Sequence, residues 1–229
     1  METASDRIVV ALDGPAGVGK STVAMAIARE LSLTYVETGA IYRAVAYKAR
    51  NEGIPLDDLT GVAGIARTID ITFRVEGDLN RVFLDGQDVT FALRSQDVSP
   101  LASKVSAQAG VRAALLDVQR SLARSGRGAV AEGRDIGTVV FPDAPFKFFL
   151  TADVRTRALR RFHQLEEMGR RPVLAELEDE IAARDRQDTE RAVAPLKAAP
   201  DAVILDTSRL TAAQVIQAIL ERIRTACAG

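Results

Sequence analysis

Five short apolar runs punctuate the chain, and each stops at polar or charged residues. Ile8-Val9-Val10-Ala11-Leu12 runs into a glycine-rich turn, and Tyr35-Val36 precedes Glu37-Thr38. Ala129-Val130-Ala131 ends at Glu132-Gly133-Arg134-Asp135. Phe146-Lys147-Phe148-Phe149-Leu150 ends at Thr151-Ala152-Asp153, and Ala202-Val203-Ile204-Leu205 at Asp206-Thr207-Ser208. Such runs predict buried strands. Helical stretches lie between them, so the alternation predicts an α/β fold around a parallel sheet. In open parallel sheets, ligands bind beyond the carboxyl ends of the strands. The polar residues that close each run are therefore expected along one edge.

One segment breaks this rhythm. Ile71-Thr72-Phe73-Arg74-Val75 and Arg81-Val82-Phe83-Leu84 alternate apolar with polar, Gly77-Asp78-Leu79-Asn80 lies between them, and Asp85-Gly86 follows. That pattern predicts an antiparallel meander inserted into the main domain. A loop elaboration without structural consequence is the alternative. Near the C-terminus, Thr211 with Gln214 reads as a capping box. Val215, Ile216, Ile219, Leu220 and Ile223 then form the apolar stripe of a core-packing helix.

The first apolar run opens onto Gly14-Pro15-Ala16-Gly17-Val18-Gly19-Lys20-Ser21, followed by Thr22. This is the G-x-x-x-x-G-K-S phosphate-binding loop. Glycines let backbone N–H groups wrap a polyphosphate, Lys20 brings charge to the outer phosphates, and Ser21 offers a hydroxyl to Mg²⁺. The following helix places Val23, Ala24, Ile27, Ala28 and Leu31 on one face, so the context is strand, loop, helix. An incidental tight turn is the competing reading, but such a turn has no need for lysine beside serine.

With 229 residues, the chain fits one large α/β domain or one domain carrying an insertion. A net charge of −1 argues against a protein built to coat nucleic acid. The single cysteine, Cys227, rules out an internal disulfide framework and points to a reducing cytoplasm. Met1-Glu2-Thr3-Ala4-Ser5-Asp6 lacks the features of a signal peptide. No run approaches roughly 18 uninterrupted apolar residues, so no membrane span is expected.

Nine arginines lie between Arg155 and Arg191, but nine acids share that window and there is no lysine. Equal charges suit diffuse phosphate-backbone binding poorly. Arginine alone suits planar grips on individual phosphates. A helical lid that closes over a triphosphate and excludes water fits this pattern, with three or four of the nine in the site. The others are expected in solvated salt bridges. His163, a lone histidine on a charged helix, is read as surface.

Three further blocks carry chemistry: Glu37-Thr38-Gly39-Ala40-Ile41-Tyr42-Arg43-Ala44, the run from Glu132 to Ala144 that begins Glu132-Gly133-Arg134-Asp135-Ile136-Gly137-Thr138, and the run Arg184 to Leu196. On a helix Arg184, Asp188 and Arg191 would share one face. With the phosphate loop and the meander, these blocks closely resemble bacterial cytidylate kinases, from Ile8 to the C-terminal helix.

The resemblance implies the P-loop nucleoside monophosphate kinase fold, with a five-stranded parallel sheet flanked by helices, the inserted antiparallel meander and a helical lid. It implies a single kinase unit with its core at about 6–36, 106–152 and 195–227. The monophosphate-binding part with its insertion would span about 37–105, and the arginine-rich lid about 153–172. The implied reaction transfers a phosphoryl group from ATP to CMP or dCMP with Mg²⁺, by a cytoplasmic monomer with no nucleic-acid or membrane partner.

Roles follow position by position from the resemblance. Lys20, with Gly14 and the backbone from Gly17, Val18, Gly19 and Ser21 to Thr22, would hold ATP, and Ser21 is the candidate Mg²⁺ ligand, directly or through water. Arg43 and Arg134 would grip the CMP phosphate. Thr38, Arg112, Asp135 and Arg191 would line cytosine, and Ser103, Arg184 and Asp188 would lie near sugar and phosphate. Lys20, Arg134 and Arg184 would be catalytic, with Arg157 and Arg161 as lid candidates toward ATP. Glu37 stands where the family more often has aspartate, and Ser21 where it varies with glycine.

The residue types agree with these roles. An acceptor such as Asp135 matches cytosine's amino group, and arginine donors match its carbonyl and ring nitrogen. A helix N-cap is the alternative for Asp135, and a salt bridge to Glu37 the alternative for Arg43. A kinase for another acceptor such as UMP, and a nucleotide-binding switch that barely turns over, stay open at this point.

Overall fold

The computed structural model describes residues 8–77, 79–95, 97–124 and 127–228. The reading of residues 1–6, the first two residues of the expected core and Asp78 of the meander turn lie outside the described residues.

The chain begins with β1 (Ile8–Asp13), the phosphate loop and α1 (Lys20–Glu30), then β2 (Thr34–Glu37) leading directly into α2 (Thr38–Asn51). Next come α3 (Leu59–Thr68) and the three short strands β3 (Ile71–Glu76), β4 (Leu79–Leu84) and β5 (Gln87–Asp88). Helices α4 (Val98–Ser106) and α5 (Ala109–Ala123) return the chain to β6 (Gly128–Gly133) and β7 (Phe146–Thr151). The helix pair α6 (Val154–Glu167) and α7 (Leu174–Glu190) precedes β8 (Val203–Asp206) and α8 (Ala212–Ala228).

All five expected strands form one parallel sheet in the order β2-β6-β1-β7-β8. The middle strand β1 thus lies between β6 and β7, where the direction of connection reverses. That reversal opens a crevice at the carboxyl edge. The register aligns Leu12 with Glu132 and Asp13 with Gly133, so the phosphate loop and the Arg134-Asp135 block leave the sheet side by side.

The strands are apolar because both faces are covered. Val10, Leu12, Val130, Phe148 and Leu150 pack with Ile27 of α1 and with Ile219 and Ile223 of α8. The α8 stripe is therefore core, as its periodicity predicts, and the Thr211–Gln214 capping box forms: Gln214 N–H donates to Thr211 Oγ1 at 3.2 Å, and Thr211 N–H to Gln214 Oε1 at 2.9 Å. Full burial of a side chain such as Ile219 contributes about 2 kcal/mol.

The inserted meander is antiparallel, in the order β3-β4-β5. It is not a mere loop elaboration. Val82 and Leu84 on the inward face of β4 share a core with Ile41 and Val45 of α2, Val62 and Ile65 of α3, Val105 of α4 and Leu115 of α5. The polar Asn80 occupies the first inward position of that same strand and is 2% exposed. Among the described residues no helix is long and apolar enough to cross a membrane.

Candidate active site

The phosphate loop is shaped by its glycines. Gly14 has φ +148°, and a Cβ there would meet the Leu150 carbonyl oxygen at 2.3 Å, so only glycine lets β1 turn beside β7. Gly19 caps α1 in the left-handed region, with no side chain over the first backbone N–H groups and no acid in the first turn. Val18 is buried in the core below and anchors the loop. The positive end of α1 thus faces the crevice.

Lys20 opens α1. It is 6% exposed, and its Nζ donates to the carbonyls of Gly14 at 2.8 Å and Pro15 at 2.7 Å. Burial holds its pKa well below the usual lysine value, and the positive charges of Arg134 and Arg184 add to this, while Glu132 and Asp13 oppose it. Arg184 is likewise lowered by burial and by Arg134 and Arg43, and its Nε is buried without a hydrogen-bond partner. Lys20, Arg134, Arg184 and Arg43 therefore gather into one cationic cluster, an arrangement that invites an anion.

Two carboxylates frame the cluster at the strand ends. Glu132, at the end of β6, is 4% exposed and accepts from Tyr35 Oη at 2.5 Å, with the Ser21 side chain beside it. Burial pushes Glu132 up from the usual carboxylate range, and Glu37 adds to that. Asp13, at the end of β1, accepts from the backbone N–H groups of Ile136 and Gly137, both at 2.8 Å. These two bonds fasten the π-helical turn Ile136–Val140 that follows Asp135. Sequence reasoning assigned no role to Asp13, Glu132 or Tyr35. Their available signal was a charged residue at the end of an apolar run.

Burial raises the Asp13 pKa from 3.8 to about 6 despite both backbone bonds. A folded-state value above the unfolded one means that stability from this group is fully present below pH about 4 and is lost as pH rises through about 6. An Asp13→Asn variant lacks this titration. Wild-type stability should therefore fall relative to that of the variant by about 2 kcal/mol between pH 4 and pH 7. Urea denaturation at both pH values measures it, and a constant gap would refute the assignment.

Most of the residues expected to serve the acceptor are linked to one another by side-chain contacts. Thr38, 4% exposed at the start of α2, donates through Oγ1 to the Glu132 carbonyl at 2.7 Å. Arg43, one turn on, forms the ion pair with Glu37 that was its alternative reading, yet its Nε is buried without a partner. Arg134 Nε donates to Asp188 Oδ2 at 2.8 Å. Asp135 makes no side-chain cap bond, so the N-cap alternative fails. Its carboxylate instead lies between Arg112, with which it pairs, and Arg191 at 3.7 Å. Arg112 also stacks on the Tyr42 ring at 5.3 Å and donates to the Ser106 carbonyl at 3.0 Å. Ser103 is half-buried on α4.

Arg191 requires a correction. It does not continue the helical face of Arg184 and Asp188, because α7 ends at Glu190 and Arg191 is extended. Its side chain returns to Asp188 at 3.9 Å, and its Nε donates to the Ala194 carbonyl at 2.6 Å.

The arginines expected in a lid also sort differently. Arg157, 3% exposed, donates to both carboxylate oxygens of Asp185 at 3.0 and 2.6 Å, and reaches the loop carbonyl of Ala16 at 3.1 Å. Its companion at the loop is Arg160, which donates to Val18 O at 3.3 Å and Thr207 O at 2.6 Å. Arg161 instead turns to Gln164 at 2.7 Å. His163 is exposed and pairs with Glu166 at 3.2 Å, as a surface residue does.

The cytidylate kinase family model matches residues 10–225. A cytidylate kinase of Desulfitobacterium hafniense is 48% identical over 214 residues, 93% of this chain and 91% of that protein. A bifunctional pantoate ligase/cytidylate kinase of Synechococcus is 48% identical over 212 residues, 91% of this chain. The chain spans only 39% of that longer protein. Among solved structures, an uncharacterized protein from Eubacterium ventriosum aligns with a TM-score of 0.53 at 13% identity, over 96% of this chain and 99% of that one, a likeness of fold alone. A match across residues 10–225 and relatives of nearly equal length give one conclusion: the chain belongs to the cytidylate kinase family.

Proposed function

We propose that this chain transfers the γ-phosphoryl group of ATP to CMP or dCMP, giving ADP and CDP or dCDP. The observation that carries this reading is the cationic cluster of Lys20, Arg43, Arg134 and Arg184 beside the phosphate loop and the Arg134-Asp135 block. Buried guanidinium nitrogens of Arg43 and Arg184 without partners support an anion between them. Donor phosphates belong on the loop backbone from Gly14 to Thr22, and the acceptor phosphate belongs at Arg43 and Arg134.

The transfer is direct. An oxygen of the CMP phosphate attacks the γ-phosphorus, a new P–O bond forms, the bond to the β-phosphate oxygen breaks, and ADP leaves with that electron pair. The nucleophile is already ionised, so no general base is required. Lys20 and the arginines position the two phosphates and balance charge that shifts during transfer. Arg157 and Arg160 sit where a lid would meet the donor, and water exclusion there favours CMP over hydrolysis.

Mg²⁺ would supply charge neutralisation across the donor phosphates. The Ser21 hydroxyl and the Glu132 carboxylate, side by side at the loop, form a donor set suited to it. Such an ion takes most of its ligands from phosphate and water, so it needs no protein cage.

Asp135 between Arg112 and Arg191 supplies the acceptor and donors that the cytosine edge calls for. The division into core, monophosphate-binding part and lid follows the same reading, as does a cytoplasmic monomer acting on small nucleotides. A coupled assay of ADP release with CMP, dCMP, UMP, AMP and GMP tests it. CMP and dCMP should exceed AMP and GMP by about a hundredfold or more in kcat/KM. Equal rates would overturn the acceptor assignment, and no stimulation by any monophosphate would favour a switch.

A further inference from the structure

The inserted meander reaches the acceptor site through one side chain. Asn80 Nδ2 donates to Glu37 Oε2 at 3.4 Å, and Glu37 Oε1 holds Arg43. Asn80 sits in the otherwise apolar inward row of β4, beside Val82 and Leu84, and its own Oδ1 is buried without a partner. A polar side chain placed there costs stability unless its hydrogen bonds are used. Glu37 itself is the last residue of β2, in register with Glu132, so two carboxylates stand side by side and repel. The Arg43 pair, with side chains 21% and 14% exposed, offsets the Glu37 charge that acts on Glu132.

We propose that Glu37 is a resident counter-ion that occupies Arg43 in the empty site and gives way to the acceptor's phosphate, and that Asn80 is the latch on the meander that holds it there. Carboxylate and phosphate compete for the same guanidinium fork. Acceptor affinity is then set partly by how firmly the meander holds Glu37, which makes Asn80 and Glu37 positioning residues. This inference rests on Arg43 being the grip for the acceptor phosphate.

Calorimetric titration of the whole protein with CMP and with cytidine, which lacks the phosphate, tests it. Glu37→Gln should tighten CMP binding about tenfold and Asn80→Leu about threefold, roughly the range of one charge-assisted contact weakened or lost. Cytidine binding should be unchanged in both. Unchanged or weaker CMP binding in Glu37→Gln, at an unchanged thermal midpoint, would overturn the proposal and leave Glu37 as a prop for Arg43. Should Glu37→Gln lower the thermal midpoint, Asn80→Leu decides alone, because leucine suits its apolar row. No gain in CMP affinity there would overturn the proposal. Arg43→Gln separates the two layers of inference. If it leaves CMP affinity unchanged, the phosphate assignment itself fails. If it weakens CMP binding while Glu37→Gln brings no gain, the counter-ion inference alone falls.

Discussion

Replacing Lys20 with methionine is expected to lower kcat about a thousandfold or more, the scale of losing one cation from a phosphoryl-transfer site. The fold should survive. Methionine keeps the apolar stem that fills the space beneath the loop, and it removes a buried ammonium whose protonation burial already disfavours. Two hydrogen bonds to the Gly14 and Pro15 carbonyls are lost. Both carbonyls lie in the loop at the crevice, where water can replace the lysine. The thermal midpoint should therefore change little while turnover collapses. Steady-state kinetics at saturating ATP and CMP, paired with a melting curve, measures both. Turnover within tenfold of wild type would remove Lys20 from the mechanism.

The second large effect is expected at Asp135. Uracil presents a carbonyl where cytosine presents an amino group, so a buried carboxylate facing it meets an acceptor with an acceptor. Asp135→Asn supplies a donor in the same volume. The ratio of kcat/KM for CMP to that for UMP should fall about a hundredfold. Alanine is a poorer probe, since it would remove the side-chain oxygen and the volume between Arg112 and Arg191 as well as the charge. The selectivity ratio, taken on one sample, does not depend on how much of that sample is folded. An unchanged ratio would show that the base is read elsewhere.

How much of this was legible in the sequence depends on the distance over which each feature is specified. The phosphate loop is contiguous, so Gly14, Lys20 and Ser21 declare themselves. The β4 alternation and the α8 stripe are equally local, and both hold in the structure. Asp13 is different, because its two partners lie 123 and 124 residues away and are backbone groups, which no motif records. Tyr35 is hidden for the same reason, 97 residues from Glu132. At Arg160 and Arg161 the composition was legible and the rotation was not. Neighbouring helical positions point about 100° apart, and packing of Ala158 and Leu165 against Leu177 and Ile181 decides which one faces the loop. Arg191 was misplaced because helical spacing was carried one residue past the end of α7.

The side-by-side exit of the phosphate loop and the Arg134-Asp135 block from β1 and β6 has a consequence for redesign. Adjacent strands are held about 4.8 Å apart by their hydrogen-bond ladder. The backbone thus acts as a ruler for where the two substrates meet, and the side chains on its loops choose what they are. Exchanging the acceptor residues should alter which nucleotide is phosphorylated without resetting that distance. A one-residue slip between β1 and β6 would displace the meeting point while leaving every functional side chain in the chain.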